Sequence, residues 1–118
     1  MAAPNIVSLT TITGKTAVAN VTTVSANVIT NAAASGSVLK INNIVLSNYT
    51  SATATGNVLI NRAGTNYYIG GSIAIPPTST LVLVGKDMAF YMEEGDVLQA
   101  LASANSSVSL VASYEIIS

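Results

Sequence analysis

The sequence contains no cysteine and no histidine among its 118 residues. Without cysteine the chain can form neither a disulfide nor a thiolate metal site. Histidine is the most common general base at neutral pH and a usual ligand of zinc and iron, so its absence weighs against both chemistries. An enzyme made from this chain would have to work with carboxylates, lysine or tyrosine alone. We therefore expect no enzymatic activity, no catalytic residue and no cofactor.

Charged residues are also scarce, since they make up 8% of the chain where a globular domain usually has ~25%. Four basic and five acidic side chains give a net charge of −1, which provides no basic surface for nucleic acid. No apolar run approaches the ~20 residues of a membrane helix, and the first residues lack the features of a signal peptide. We expect neither nucleic acid nor a membrane as a partner. Uncharged surfaces repel their own copies only weakly, which favours a subunit of a permanent assembly.

β-branched and small hydroxyl residues dominate the rest of the composition, and they favour strands over helices. Three short apolar runs at residues 81–84, 88–92 and 97–102 are bounded by glycine, proline and acidic residues. This pattern is typical of strands joined by tight turns. Alternating apolar residues predict further strands at residues 38–48 and 108–116.

About eight strands at regular spacing predict one all-β domain over residues 1–118, a single antiparallel β-sandwich that is jelly-roll-like. The inward-facing parity changes at Asn42-Asn43, and a β-bulge there would let both halves of the strand face the core. Residues 57–62 and 66–75 are predicted to form a hairpin around a short loop that contains a glycine.

The N-terminal region has two interpretations. Alternation predicts strands at residues 5–13 and 16–24, with a turn at Gly14-Lys15 between them. Alternatively, residues 1–20 form an extended N-terminal arm, because chain ends are often ordered only by a partner.

The densest charge in the chain is the acidic segment formed by Glu93, Glu94 and Asp96. We interpret it as a solvated turn with Gly95 at a positive φ. The alternative is a Ca²⁺ site, since Ca²⁺ takes several oxygen ligands, but three carboxylates without further acids at fixed spacing are a weak signal. We therefore expect no metal, with these three side chains as the candidates.

Aromatic and apolar side chains on outer faces are the candidates for contact with a partner. Tyr67 and Tyr68 are adjacent, so alternation predicts that one of them faces the core and the other contacts a neighbouring subunit. In the last strand, Val111 and Ile117 interrupt an otherwise polar outer face and are also predicted to contact a neighbouring chain. Arg62 could pair with an acid of that neighbour, although a surface pair would add little.

The run I-P-P-T-S-T-L-V-L-V-G-K-D-M-A-F-Y-M-E-E-G-D-V-L-Q-A-L-A-S-A-N, the ending S-Y-E-I-I-S and the opening M-A-A-P-N-I-V with T-T-I-T-G-K-T resemble small virion structural proteins of tailed phages, especially marine and cyanobacterial ones. The segment E-E-G-D-V-L is also similar to the loop before a late strand in tumour-necrosis-factor-like jelly rolls, which usually trimerise.

The resemblance implies a role in the virion, with assembly in the host cytoplasm, and it assigns no catalytic residue. We expect a capsid decoration or cement protein that binds the outer shell as a homotrimer, with the major capsid protein or another virion protein as its partner. One alternative is a component of the tail, neck or fibre. Another is a carbohydrate-binding module for host attachment, in which Tyr67, Tyr68 and the polar loop at residues 49–56 hold a sugar.

Overall fold

The structure, a computed structural model, describes residues 11–104 and 107–118, without the side chain of Lys86. Within these residues no helix is long and apolar enough to cross a membrane. The same part of the chain forms nine strands, in the order β1 (Ile12–Val21), β2 (Ala26–Thr30), β3 (Val38–Asn48), β4 (Ala54–Arg62), β5 (Thr65–Ile75), β6 (Thr80–Val84), β7 (Phe90–Met92), β8 (Val97–Ala102) and β9 (Val108–Ile117).

The strands form two antiparallel sheets that pack into a sandwich, which confirms the predicted all-β fold. We call them sheet A, with the order β1-β9-β3-β6 and β7 also paired to β3, and sheet B, with the order β2-β8-β4-β5. The pairs are nested, because β1 pairs with β9, β2 with β8, β3 with β6 and β7, and β4 with β5. A long hairpin rolled up in this way is the arrangement of a jelly roll.

Two short strands share one position in sheet A. β6 pairs with the second half of β3 and β7 with its first half. Between them lies a single 3₁₀ turn, Lys86–Met88, where the chain leaves the edge of the sheet and returns. The nine strands therefore occupy eight positions in the two sheets, and the sequence predicts about eight strands.

The core lies between the sheets and is made of the inward-facing alternate residues of both. β3 shows how the sequence produces it, because the register against β9 shifts between Ile41 and Asn43. This shift is the predicted β-bulge, and it lets Ile41 and Ile44 both be fully buried. The largest fully buried apolar side chains are Ile41, Ile44, Leu46, Leu59, Ile75, Met92, Leu98, Leu110, Val58, Val84 and Val108.

The prediction of a turn at Gly14-Lys15 is wrong. β1 runs through both residues, with Gly14 opposite Glu115 and Lys15 opposite Tyr114. Gly14 lies in an edge strand, where it has no side chain to pack and need not turn the chain. An N-terminal arm over residues 1–20 is likewise wrong from Ile12 onward, and the predicted strand at residues 5–13 lies mostly outside the described residues.

The hairpin of β4 and β5 is tighter than predicted. Its turn consists of Ala63 and Gly64, with φ of 53° and 83°. Positive φ at both central residues is the signature of a type I′ turn, whose twist matches that of the flanking strands. Thr65, which was predicted to belong to the loop, instead pairs with Arg62 as the last rung of the ladder.

Candidate functional site

The end of the sandwich at the β4–β5 turn is organised around a buried acid, Asp96, which is 0% exposed. Arg62, the last residue of β4, reaches over it and donates two hydrogen bonds, from Nε to Oδ1 at 2.7 Å and from Nη2 to Oδ2 at 2.6 Å. The N–H of Glu93 donates to the same Oδ2 at 2.8 Å. These contacts fasten the turn before β8 to the end of β4.

The ion pair changes the pKa of both partners. Burial alone would raise the pKa of Asp96, but the hydrogen bonds from Arg62 and from the N–H of Glu93 outweigh burial and hold that pKa below its ordinary value. The hydrogen bond and charge of Asp96 in turn raise the pKa of Arg62, and Glu93 adds to this effect. Both side chains are therefore charged throughout the neutral range.

Of the other two acids of this turn, Glu93 shares Arg62 with Asp96, and Glu94 binds a different group. Oε2 of Glu93 lies 3.2 Å from Nη2 of Arg62, and Oε2 of Glu94 accepts a 2.7 Å hydrogen bond from the N–H of Gly36. Gly95 has φ 90°, as the predicted turn requires. The prediction that Arg62 pairs with an acid of a neighbouring chain is wrong, because its partners Asp96 and Glu93 belong to its own chain.

The three candidate metal ligands do not converge on one point. Both oxygens of Asp96 are occupied by Arg62 and by a backbone N–H, and Glu94 is directed to the loop after β2. Among the described residues no three acids are grouped so that they could hold a metal ion. The contacts of Glu93, Glu94 and Asp96 hold loops together, and the alternative of a Ca²⁺ site gains no support from them.

A cleft of about 390 Å³ opens beside the ion pair and is lined by Ile60, Arg62 and Tyr67. Tyr67 lies opposite Ile60, which packs against the core, whereas Tyr68 lies opposite Leu59 on the other face of the strand. The prediction that one of these tyrosines is buried is wrong, since Tyr67 and Tyr68 are 59% and 58% exposed. Tyr67 does face the inner side, but it lies where the core has ended and the cleft begins.

The sugar site predicted from both tyrosines and the loop at residues 49–56 is not assembled. Residues 54–56 of that predicted loop belong to β4, and Ala54, where the strand begins, is six positions from Ile60, the partner of Tyr67. At ~3.3 Å per residue, about 20 Å separate the loop from the tyrosine. The two parts lie at opposite ends of the sandwich.

The outer face of sheet A carries a row of four valines, which we call the valine row. Val18 lies opposite Val111, Val111 opposite Val45, and Val45 opposite Val82, one from each of the four neighbouring strands. Val18, Val82 and Val111 are 73%, 61% and 43% exposed. A shallow groove of about 280 Å³ runs along the part formed by β1 and β9.

Uncharged polar residues flank the valine row on both sides. The nearest charged residues on this face of β3 and β9 are Lys40 and Glu115, which lie opposite each other two rows away. The row is thus an apolar strip within a neutral polar surface. Its flanking residues are Thr16, Ser113 and Asn43 on one side and Asn20, Ser109, Ser47 and Thr80 on the other.

The two contact residues predicted in β9 have different environments. Val111 lies on the exposed outer face as expected, but Ile117 is only 4% exposed, so its prediction as an outer contact is wrong. Ile117 lies between Ile12 of β1 and Val38 of β3 at one level of the sheet. Val111 lies between two valines of the same neighbouring strands and is exposed, so alternation along one strand does not distinguish the two environments.

Sequence reasoning missed three members of the valine row, Val18, Val45 and Val82. The outward position of Val18 could have been predicted, because alternation places it on the opposite face of the strand from Ala17 and Ala19. Nothing in the sequence aligns it with residues that are 27, 64 and 93 positions away, since only the registers of three strand pairs do so. Compared with known proteins, the chain matches no protein-family model and shows no significant similarity to a curated protein.

Proposed function

We propose that the chain is a structural subunit of a tailed-phage virion, a decoration or cement protein that binds the outer shell of the capsid as a homotrimer. Jelly rolls are common in viral capsid proteins, and the segments described above resemble small virion proteins. The partner on the shell is the major capsid protein or another virion protein. The observation that carries the proposal is the valine row on the outer face of sheet A.

The valine row has the character of a surface that another protein covers. Fully burying one valine side chain gains about 1.5–3 kcal/mol relative to leaving it exposed. Val18 and Val82 are both more than half exposed, so most of this gain is unused within one chain. Association would also desolvate no charge on this row or its two flanking rows, because their side chains are all neutral.

A second copy of the chain is the occupant that fits this surface. A neutral face meets its own copy without repulsion, which a charged face would not do. Sheet A is four strand positions wide and β9 is 10 residues long, and strands ~4.8 Å apart with a ~3.3 Å rise give a face of roughly 600 Å². Stable interfaces bury about 800 Å² per partner, so the interface must include this face and residues around its edge.

In the trimer, each copy turns its valine row toward the threefold axis, and the contacts close into a ring. Three copies then approach the shell as one body. Each contact with the shell can be weak, because the second and third bind at the high effective concentration set by the first. This arrangement suits a chain whose surface carries few charges with which to form strong polar contacts.

Light scattering of the purified protein tests the oligomer. We expect a mass of about 36 kDa, three times the 12.0 kDa of one chain. The double variant Val18→Lys/Val111→Lys places charge at the centre of the interface and should scatter as a folded monomer. Tyr67→Lys/Tyr68→Lys is the matched control, because it adds the same two charges at exposed positions of sheet B. A monomeric wild type, or a double variant that stays trimeric, would contradict the proposal.

The location of the protein within the virion is tested separately, by its copy number per particle. A decoration protein is present in hundreds of copies per particle and a tail, neck or fibre component in few. Quantitative mass spectrometry of virions that contain the chain should therefore give hundreds of copies. A count below about a dozen would indicate that the trimer belongs to the tail, neck or fibre, and would contradict a role as a decoration protein.

A further inference from the structure

We infer that the cleft at the β4–β5 end of the sandwich binds a neutral pyranose sugar. Its lining combines an aromatic ring, Tyr67, an aliphatic side chain, Ile60, and a guanidinium, Arg62. A volume of about 390 Å³ is in the range of small-ligand sites. Such sites join apolar walls to a few fixed polar groups, which is the composition found here.

The polar groups beside the cleft match the hydroxyls of a sugar. The contacts of Arg62 with Asp96 and Glu93 use Nε and Nη2, so the two N–H groups of Nη1 are left to donate. Glu93 engages Arg62 through Oε2, and its side chain is 68% exposed, so Oε1 can accept a hydrogen bond from a hydroxyl. One fixed donor and one acceptor next to each other suit neighbouring hydroxyls of a pyranose.

The guanidinium is already in place before a ligand arrives. Asp96 is buried and grips Arg62 through two hydrogen bonds, so the orientation of the donor costs little entropy on binding. Tyr67, 59% exposed, presents its ring on the same side of the sandwich. The C–H face of a pyranose is apolar and can lie on such a ring, while the hydroxyls at its rim reach the charged pair.

The net charge of the side chains at the cleft determines which class of ligand it can bind. One cation, Arg62, and two carboxylates, Asp96 and Glu93, leave a net charge of −1 at the cleft. An anionic ligand would be repelled, although an arginine alone would have attracted it. A metal ion finds no free oxygen on Asp96, as shown above. A neutral polyol with an apolar face is the ligand that this arrangement accepts.

This site is independent of the proposed trimer, because it is built from sheet B and the turn before β8, whereas the valine row is on sheet A. It also differs from the sugar site predicted from the sequence, which needed Tyr68 and the loop at residues 49–56. Tyr67 takes part and Tyr68 does not, although the two have nearly equal exposure. This contrast gives the test its control.

The test is an NMR titration of the ¹⁵N-labelled full chain with methyl glycosides of glucose, galactose and mannose. The sugars are added up to concentrations on the order of 100 mM, because small open clefts bind in the millimolar range. We expect at least one sugar to shift the amide signals of Ile60, Arg62 and Tyr67. Tyr67→Ala should weaken binding at least tenfold and Glu93→Gln several-fold, while Tyr68→Ala stays within twofold of the wild type.

Three results would overturn the inference. The first is the absence of shifts at these amides with any of the three glycosides. The second is an equal loss of affinity in Tyr68→Ala and Tyr67→Ala. The third is tighter binding of inorganic phosphate than of any sugar at the same amides, which would make the site anionic. Light scattering on the same variants should give the same mass as for the wild type. A failure to bind sugar would therefore not contradict the trimer, and a monomeric protein would not contradict the sugar site.

Discussion

Buried polar side chains fasten both ends of the sandwich, and the most deeply buried one at each end differs in chemistry. At the β4–β5 turn it is Asp96, 0% exposed, and at the opposite end it is Asn48, 1% exposed. The amide of Asn48 donates to the carbonyls of Ala52 and Ile75 at 2.8 and 2.9 Å. Its oxygen accepts from the N–H and the hydroxyl of Thr50 at 3.0 and 2.7 Å.

The comparison shows what a charge adds to such a fastening. Asn48 satisfies both halves of its amide with neutral groups, from the loop that follows it and from Ile75 at the end of β5. Asp96 instead needs a cation, Arg62, which comes from 34 residues away. Both ends join parts of the chain that are distant in sequence, since Asn48 reaches the carbonyl of Ile75, 27 residues away, but only the charged end depends on the protonation of a carboxyl group.

The largest expected effect is that of Asp96→Asn. It removes the charge that faces Arg62 and one acceptor of its bidentate contact, and we expect a loss of about 3 kcal/mol of unfolding free energy. This is at the lower end for buried pairs because Arg62 is half-exposed. The matched control is Glu93→Gln, which removes the exposed partner of the same guanidinium and should cost less than ~1 kcal/mol. Urea denaturation measures both, and equal losses would mean that burial does not distinguish the two acids.

Asn48→Ala should cost about 2 kcal/mol, because it removes the hydrogen bonds that the amide makes with the carbonyls of Ala52 and Ile75 and with the N–H of Thr50. The control is Asn61→Ala, which removes one exposed hydrogen bond of 2.7 Å to Asn66 and should cost less than ~0.5 kcal/mol. A loss for Asn48→Ala as small as that of the control would show that water can replace the amide at this end.

The two ends of the sandwich should also differ in how their contribution to the unfolding free energy depends on pH. The pKa of Asp96 is lower in the folded chain than in the unfolded one, so its stabilisation is complete above the ordinary value of 3.8 and is lost as the pH falls through the folded pKa. The difference in unfolding free energy between wild type and Asp96→Asn should therefore shrink below pH 3.8. The difference for Asn48→Ala should stay constant over the same range. Parallel pH profiles for both variants would contradict this assignment.

The smallest effect is expected on the outer face of sheet A. Val18→Thr keeps the shape of an exposed side chain and should change the unfolding free energy of the monomeric form by less than ~0.5 kcal/mol. Val21→Thr in the same strand puts a hydroxyl at a position that is 4% exposed and should cost about 1–3 kcal/mol. If Val18→Thr were as costly, the valine row would stabilise the fold itself and not an association.

The sequence allowed the strands to be predicted wherever local alternation and breakers were strong. The bounds of β3 and the bulge at Asn42-Asn43 were correct because apolar parity along one strand reports which face is buried. The turn at Gly14-Lys15 was wrong because glycine is also tolerated within an edge strand. A local sequence pattern predicts a strand or a turn reliably only where the same residues would not fit another conformation.

The contacts between distant strands could not be predicted in this way. Arg62 and Asp96 pair because β4 and β8 are neighbours in sheet B, with Asn61 opposite Val97. The burial of Ile117 could likewise not be inferred from alternation along β9. Such contacts follow from strand order and register, and a one-residue slip in register would have placed each side chain on the other face.

The position of β9 has a consequence for how the protein is made. The last strand of the chain is inserted between β1 and β3, in the middle of sheet A. While the ribosome is still adding residues 108–117, that sheet is divided into two parts with no bridge between them. Sheet A can therefore be completed only after residues 108–117 have been made, and a deletion within β9 would open the sheet at its centre.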